Sequence, residues 1–256
     1  MDHVAPIPDN HFKIIVPSYN NEKWLKACLG SIKLQGYKNY QCIVIDDCST
    51  DTSVKIIREE VSENSKFLFI ENSDRKLALK NIYEAIEISK PNNEDIIITL
   101  DGDDWFATKN ALEILNNRYK EDNCWITYGS YIEYPSKVRG KFSRQIPKEV
   151  INSNSFRESE WMSSHLRTFK YKLWKRIEKA DFLEDDGRFC DGAWDMIFMF
   201  PMLEMAHHRS TFIKEVLHVY NRINPLNEDK IDHRKLMLSE KRIRAKEKYK
   251  EISNDN

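Results

Sequence analysis

The run Ile96-Ile97-Ile98-Thr99-Leu100 passes directly into Asp101-Gly102-Asp103-Asp104, so an apolar segment ends in three carboxylates within four residues. Carboxylates crowded in this way repel one another, and a hard divalent cation that neutralises them and bridges to phosphate oxygens makes the arrangement favourable. The competing use is an acidic surface turn, because aspartate after a strand also caps helices. A second acidic run, Asp46-Asp47-Cys48-Ser49-Thr50-Asp51, follows Cys42-Ile43-Val44-Ile45, and Asp46 suits a cap of the helix after it.

Such groups act together only if the chain brings them to one place. Phe12-Lys13-Ile14-Ile15-Val16 is β-branched and ends at Pro17, which cannot extend a central ladder, so the first strand is expected to stop there. Trp24, Leu25, Cys28, Leu29 and Ile32 then mark an amphipathic helix, with Asn20 or Asn21 as cap and Gly36 closing it. The unit repeats with a helix carrying Val54, Ile57 and Val61, and again with strand Phe67–Ile70 and a helix over 77–89 stopped before Pro91. Ile96 to Leu100 is the fourth strand. Strands alternating with helices imply an α/β fold with a mostly parallel sheet and right-handed crossovers, which gathers the polar loops along one edge.

Later segments carry weaker patterns. A helix around 111–119, a strand over Trp125–Tyr128, and a proline-bearing, basic loop or hairpin over 134–151 come first. Helices are expected over 169–177 and 193–206, the second with Pro201 as a kink, followed by short strands at Phe212-Ile213 and Val216–Tyr220 that complete the sheet or form a small second one. From Asp229 onward the chain is rich in Lys, Arg and Glu and reads as a solvated, partly mobile helix.

Composition sets bounds. Lys plus Arg number 40 and Asp plus Glu 41 in 256 residues, so no global basic excess marks a nucleic-acid binder, although a local basic patch stays compatible with these totals. The cysteines at 28, 42, 48, 124 and 190 show no C-x-x-C pairing, which favours reduced thiols in a cytosolic setting and argues against zinc. The start Met1-Asp2-His3-Val4-Ala5-Pro6-Ile7-Pro8 lacks the features of a signal peptide, and no run of about eighteen apolar residues suggests a transmembrane span. The expectation is a cytoplasmic protein with room for peripheral membrane contact.

Three segments taken together, Val16-Pro17-Ser18-Tyr19-Asn20, Ile43-Val44-Ile45-Asp46-Asp47-Cys48-Ser49-Thr50-Asp51 and Leu100-Asp101-Gly102-Asp103-Asp104, resemble the family 2 glycosyltransferases of the GT-A fold. The likeness covers roughly the first 130 residues, in order and spacing. It implies a nucleotide-sugar donor, a manganese or magnesium ion, and transfer to an acceptor hydroxyl with inversion. Carried onto this chain, it divides residues 1–130 as the nucleotide-sugar-binding half, 131–228 as the acceptor-side half of the same domain, and 229–256 as a charged tail. Pro17, Ser18 and Tyr19 would line the nucleoside pocket, and Asp47 would accept the uracil N–H, which favours a UDP-sugar. Asp101, Asp103 and Asp104 would contact ribose and hold the metal against the diphosphate, with Gly102 between them. Lys76, Lys80 and Asn81 lie where relatives carry contacts to base or diphosphate, although Leu79 and Ile82 are bulkier than the small residues common there, and a solvated helix face is the competing reading for either lysine.

Inversion requires a base near the anomeric carbon, opposite the departing diphosphate. The resemblance implies an aspartate before an apolar helix, for which Asp195 fits best and Asp191 is the rival, itself a plausible cap in Asp191-Gly192-Ala193-Trp194-Asp195. His165 and Arg167 resemble a segment facing donor sugar or acceptor, Arg167 suiting a phosphate or hydroxyl fork. Trp161 and Trp194 are candidates for sugar stacking or for the core, and the pair His207-His208 does not share one helix face, which disfavours it as a metal site. The loop Tyr220 to Asn227 is expected to close over the donor. The acceptor would be a glycan, lipid-linked molecule or protein. Two other classes stand against this reading: a silent nucleotide-sugar-binding domain of a larger assembly, and an α/β phosphohydrolase with an aspartate nucleophile.

Overall fold

A computed structural model describes residues 9–253, so the amino-terminal stretch 1–8 and residues 254–256 lie outside the described residues. Strands and helices alternate through β1 (Phe12–Ser18), α1 (Leu25–Lys33), β2 (Tyr40–Asp46), α2 (Ser53–Val61), β3 (Phe67–Glu71), α3 (Leu77–Ser89) and β4 (Ile96–Thr99). The remainder comprises β5 (Trp105–Phe106), α4 (Ala111–Glu121), β6 (Ile126–Tyr134), α5 (Lys148–Asn152), β7 (Arg167–Lys170), α6 (Tyr171–Trp174), α7 (Trp194–Ala206), β8 (Ser210–Asn221), α8 (Glu228–Ile231) and α9 (His233–Ala245).

All strands join one eight-stranded sheet in the order β3-β2-β1-β4-β7-β6-β8-β5. Side chains alternate across it. Ile15, Ile43, Ile45 and Ile97 enter a core shared with α3 and α7, while Ile14, Val16, Val44, Ile96 and Ile98 enter a second core under α1, α2 and α4. Both faces are covered, and this is why these strands read as unbroken apolar runs. The boundary near residue 130 falls within β6, so the sheet is continuous across it.

Strands β1 to β4 are parallel to one another. β7 is antiparallel to both β4 and β6, and β8 is parallel to β6. Two reversals restore the original direction, so the carboxyl ends of β1, β2, β4, β6 and β8 lie on one edge.

Several expectations need correction. β1 continues through Pro17 to Ser18. The Pro17 carbonyl accepts from the Gly102 N–H at 3.0 Å, so its nitrogen faces the same side, where β4 has already ended and no ladder bond is lost. The segment expected as a helix over 169–177 begins as β7, whose residues are all buried, and turns helical only at Tyr171. Arg167 and Lys170 bound an apolar stretch too short to carry a period, and pairing on both edges decides it as strand. The two short strands at 212–213 and 216–220 are one strand, β8, with its register to β6 shifted around Gly129 to Tyr131.

The charged tail forms the helix α9, with one face docked and the rest facing solvent. Ser239 and Ile243 of α9 are buried. Beneath it, Arg157 pairs with Glu204 of α7 at 2.5 Å and donates to the Ile243 carbonyl at 2.8 Å, and Glu204 accepts from the Tyr249 N–H at 2.9 Å. The pair is 2% and 0% exposed, so its charges rely on each other and on these backbone groups. Glu204→Gln should destabilise the fold by about 3–5 kcal/mol by leaving the guanidinium buried without its counter-ion. This would be read as a lower urea midpoint at unchanged slope, and an unaltered midpoint would show that the pair contributes nothing net.

Candidate functional site

The acidic edge is built around Gly102. Its N–H joins the Pro17 carbonyl, and a Cβ there would meet Ser18 Cβ at 2.8 Å and Ser18 Oγ at 2.9 Å, so only glycine lets the Asp101–Asp104 turn lie against the end of β1. Pro17 and Ser18 are buried, and their carbonyls are taken by the Gly102 and Asp47 N–H groups. They form the floor of the edge, and the Ser18 hydroxyl accepts from Asn21 Nδ2 at 3.4 Å.

The three carboxylates of the turn have different surroundings. Asp101 is 23% exposed at its side chain and receives Arg167 Nη2 at 3.4 Å. Asp103 accepts from Asn224 Nδ2 at 2.7 Å, and burial together with the charges of Asp104 and Asp101 pushes its carboxyl well above the usual range. Asp104 is fully buried, with one oxygen 2.8 Å from His218 Nε2 and the other accepting from the Asn221 N–H at 2.8 Å. Both of its oxygens thus face protein donors, which sets it apart from the pair expected to share a metal with it.

His165, His218 and Asp104 bring potential ligand atoms within 4.8 Å of one another. The two imidazoles are stacked, however, with centroids 4.5 Å apart and planes at 9°. Lone pairs lie in the ring planes, so parallel rings at that spacing do not aim at one ion about 2 Å from each. Burial lowers His218 to about 3 and takes His165 well below its usual value, so both are neutral. His165 also stacks on Tyr220 at 5.0 Å. It is buried among the rings of Tyr131, His218 and Tyr220.

At the end of β2, Asp46 accepts from the Ser49 N–H at 2.8 Å and closes its own turn, while Asp51 accepts from the Ser53 N–H at 2.9 Å at the start of α2. Asp47 accepts from Asn72 Nδ2 at 3.0 Å, the Lys76 N–H at 2.8 Å, the Leu77 N–H at 2.9 Å and Arg75 Nε at 3.0 Å. Burial opposes its charge, yet the hydrogen bonds from the Lys76 and Leu77 backbone and from Asn72 help hold the carboxyl below the usual range. Asn81 is buried and accepts from Asn72 at 2.7 Å, so it supports Asp47 from behind. The Lys76 ammonium turns along α3 to Glu84 at 2.7 Å, and Lys80 lies 3.9 Å from the same carboxylate, so neither is directed at the edge. Arg75, which the sequence reading passed over, lies 3.3 Å above the Tyr19 ring and spans from it to Asp47.

Arg167 of β7 joins the two halves. Its Nε donates to Thr99 Oγ1 at 3.0 Å, Nη1 to Asp195 at 3.2 Å and Nη2 to Asp101 at 3.4 Å, and the Trp194 ring supports it at 4.7 Å. Asp195 occupies the first turn of α7, accepts from the Met196 N–H at 3.0 Å and keeps a side-chain exposure of 19%. Burial raises its carboxyl, with Arg167 pulling in the opposite direction. Asp191 instead pairs with Lys235 of α9 at 2.5 Å. Trp161 packs edge-on against Phe200 in the core, and His207 lies 3.5 Å from Glu251 near the tail.

The Tyr220 to Asn227 loop does reach the acids. Asn224 contacts Asp103, and Asn227 Nδ2 donates to the Asn221 carbonyl at 2.9 Å. Asn224, His218 and Arg75 carry contacts that sequence reasoning did not assign. For His218 the available signal was strand alternation, which turns it to the face opposite Leu217.

The family model described as Glycosyl transferase family 2 matches residues 13–184. Glycosyltransferase GlyA of Streptococcus pneumoniae serotype 4 is 28% identical over 69% of this chain and 25% of its own length. The Poly(ribitol-phosphate) beta-glucosyltransferase of Bacillus spizizenii is 31% identical over 56% of this chain and 21% of its own. A UDP-Glc:alpha-D-GlcNAc-diphosphoundecaprenol beta-1,3-glucosyltransferase of Escherichia coli is 31% identical over 50% and 49%. The chain thus spans between about a fifth and a half of the length of these relatives. Among solved structures, residues 1–349 of S. aureus TarS in complex with UDP-GlcNAc superpose with a TM-score of 0.61 at 17% identity, covering 84% of this chain and 59% of that TarS fragment. A mannosyltransferase of Pyrobaculum calidifontis in complex with GDP-Man and Mn2+ gives 0.57 at 15% identity, covering 87% and 61%.

Proposed function

The chain belongs to glycosyl transferase family 2 and has the GT-A fold, and from that premise we propose that it transfers a sugar from a nucleotide-sugar donor, UDP-linked in this reading, to an acceptor hydroxyl with inversion. The observation that carries the reading is the Arg167 guanidinium, hydrogen-bonded to Asp101 on one side and Asp195 on the other. It sets a partly exposed carboxylate beside the acids that would face a diphosphate.

In this account Asp195 is the base and Asp191, already paired with Lys235, is not. Asp195 takes the proton from the acceptor hydroxyl as its oxygen bonds to the anomeric carbon and the bond to the diphosphate oxygen breaks. Arg167 holds Asp195 in place and keeps its carboxylate charged.

Hard carboxylate oxygens at the open edge suit manganese or magnesium. Asp103 fits that role through its environment, since burial and two like charges disfavour its ionised form until a cation compensates them. Asp101 and Asp103 would hold the ion, and Asp104, fixed by His218 and Asn221, would position the turn. When bound, the ion stabilises negative charge on the departing nucleoside diphosphate.

Tyr19 offers the face on which a base stacks. Asp47 has its acceptor sites filled by four donors, and Arg75, 40% exposed, is the one that can leave into solvent so that a base N–H takes its place. Glycan and lipid-linked acceptors fit this reading, the latter because one relative is named for a diphosphoundecaprenol acceptor.

The test is a panel of nucleotide sugars incubated with the protein and manganese. Slow release of nucleoside diphosphate, fastest from UDP-sugars, is the expected result. Binding with no release would support a silent domain, and liberation of inorganic phosphate would support a phosphohydrolase.

A further inference from the structure

Two loops leave the functional edge side by side. One follows Tyr134 at the carboxyl end of β6 and the other follows Asn221 at the carboxyl end of β8; these residues are partners in the ladder, and the Arg222 N–H donates to the Tyr134 carbonyl at 3.0 Å. The base of the first loop is rigid. Gly140 donates to the Tyr131 carbonyl at 3.0 Å with its Cα against the Tyr131 ring, where a Cβ would fall 1.8 Å from Cζ, and Ser143 donates to the His165 carbonyl at 2.7 Å. Tyr134 packs edge-on against Trp105, next to Asp104, at 5.2 Å.

The tips have the opposite character. Val138 is 60% exposed and Phe142 43%, and Ile223 and Leu226 on the neighbouring loop are 47% and 39% exposed. Between Tyr134 and Arg144 the chain carries Lys137, Arg139, Lys141 and Arg144 and no acidic residue; Arg144 pairs with Glu160 and Arg139 Nη2 donates to the Lys214 carbonyl at 2.9 Å, so the charge of the tip rests on Lys137 and Lys141. Lys141 lies over the Phe142 ring at 4.7 Å, so apolar and cationic groups share one tip. A rigidly based apolar tip flanked by lysines, beside a second apolar tip, suits a surface that accepts hydrocarbon and is negatively charged.

We propose that these two loops seat the protein on an anionic bilayer, holding the acidic edge at headgroup level. The surface stands apart from the sugar-transfer reading. If both hold, an acceptor anchored in the membrane meets the site without leaving the lipid.

The full chain is mixed with vesicles of phosphatidylcholine alone or with phosphatidylglycerol and sedimented, without donor or metal. Partition to the anionic vesicles alone is expected, weakening as salt rises. Lys137→Gln with Lys141→Gln should weaken it about thirtyfold, from two basic groups lost at the surface. Val138→Ser with Phe142→Ser should weaken it at unchanged salt dependence. Each variant should keep the wild-type thermal midpoint. Equal binding to both vesicle types, no binding to either, unaltered partition of both variants, or capture by a soluble phosphodiester polymer in place of vesicles would overturn the proposal. None of these readouts depends on catalysis, so a failure here is distinct from failure of the transferase reading.

Discussion

Asp195→Asn should bind nucleotide as the wild type does and lose sugar transfer by roughly 10²–10⁴-fold, the span that a positioned general base contributes. The loss belongs in kcat, because the amide can still accept the Arg167 hydrogen bond but cannot take a proton. Asp191→Asn should retain transfer, since that carboxylate already faces Lys235. Turnover surviving in Asp195→Asn and lost in Asp191→Asn would move the base to the other aspartate.

The pH profile carries a separate sign. Burial raises the Asp195 carboxyl and Arg167 lowers it, with burial the larger effect. A base works ionised, so activity should fall as pH drops through a value above the ordinary carboxylate range. Arg167→Gln removes the opposing charge and should displace that acid limb to still higher pH. A limb that stays in place would show that the guanidinium does not set the Asp195 charge.

The second large effect is expected at Asp103. Asp103→Asn should weaken manganese-dependent UDP binding by at least about tenfold, or about 1.4 kcal/mol, in calorimetric titration. The same change removes a carboxylate disfavoured by burial and by Asp104 and Asp101, so the apoprotein should be as stable as the wild type or more so. That pairing separates loss of a ligand from loss of fold. Tight UDP binding without metal, unchanged by the substitution, would remove the cation from the account.

The strand-loop-helix repeats from Phe12 to Thr99 were legible because burial on both sheet faces forces unbroken β-branched runs, and amphipathic spacing marks the helices that cover them. α3 follows its expected bounds, Leu77 to Ser89. Convergence of the acidic loops on one edge follows from parallel topology alone. Gly102 sat in view in the motif, but its need to be glycine arises from Ser18, 84 residues earlier in the chain.

Sequence alone thus determined the element types of the first half, the edge at which the acidic loops gather, and the residue classes available there, since these depend on local spacing and on which side chains avoid water. Tertiary structure decided which groups each carboxylate meets. Asp104 meets His218, Asp191 meets Lys235, and Asp195 is joined to Asp101 through Arg167, contacts that span 28 to 114 residues. The physical reason is that a carboxylate's role is set by the donors and charges within a few ångströms of it, and here those come from β7, β8 and α9, elements that no local pattern ties to the acids they meet.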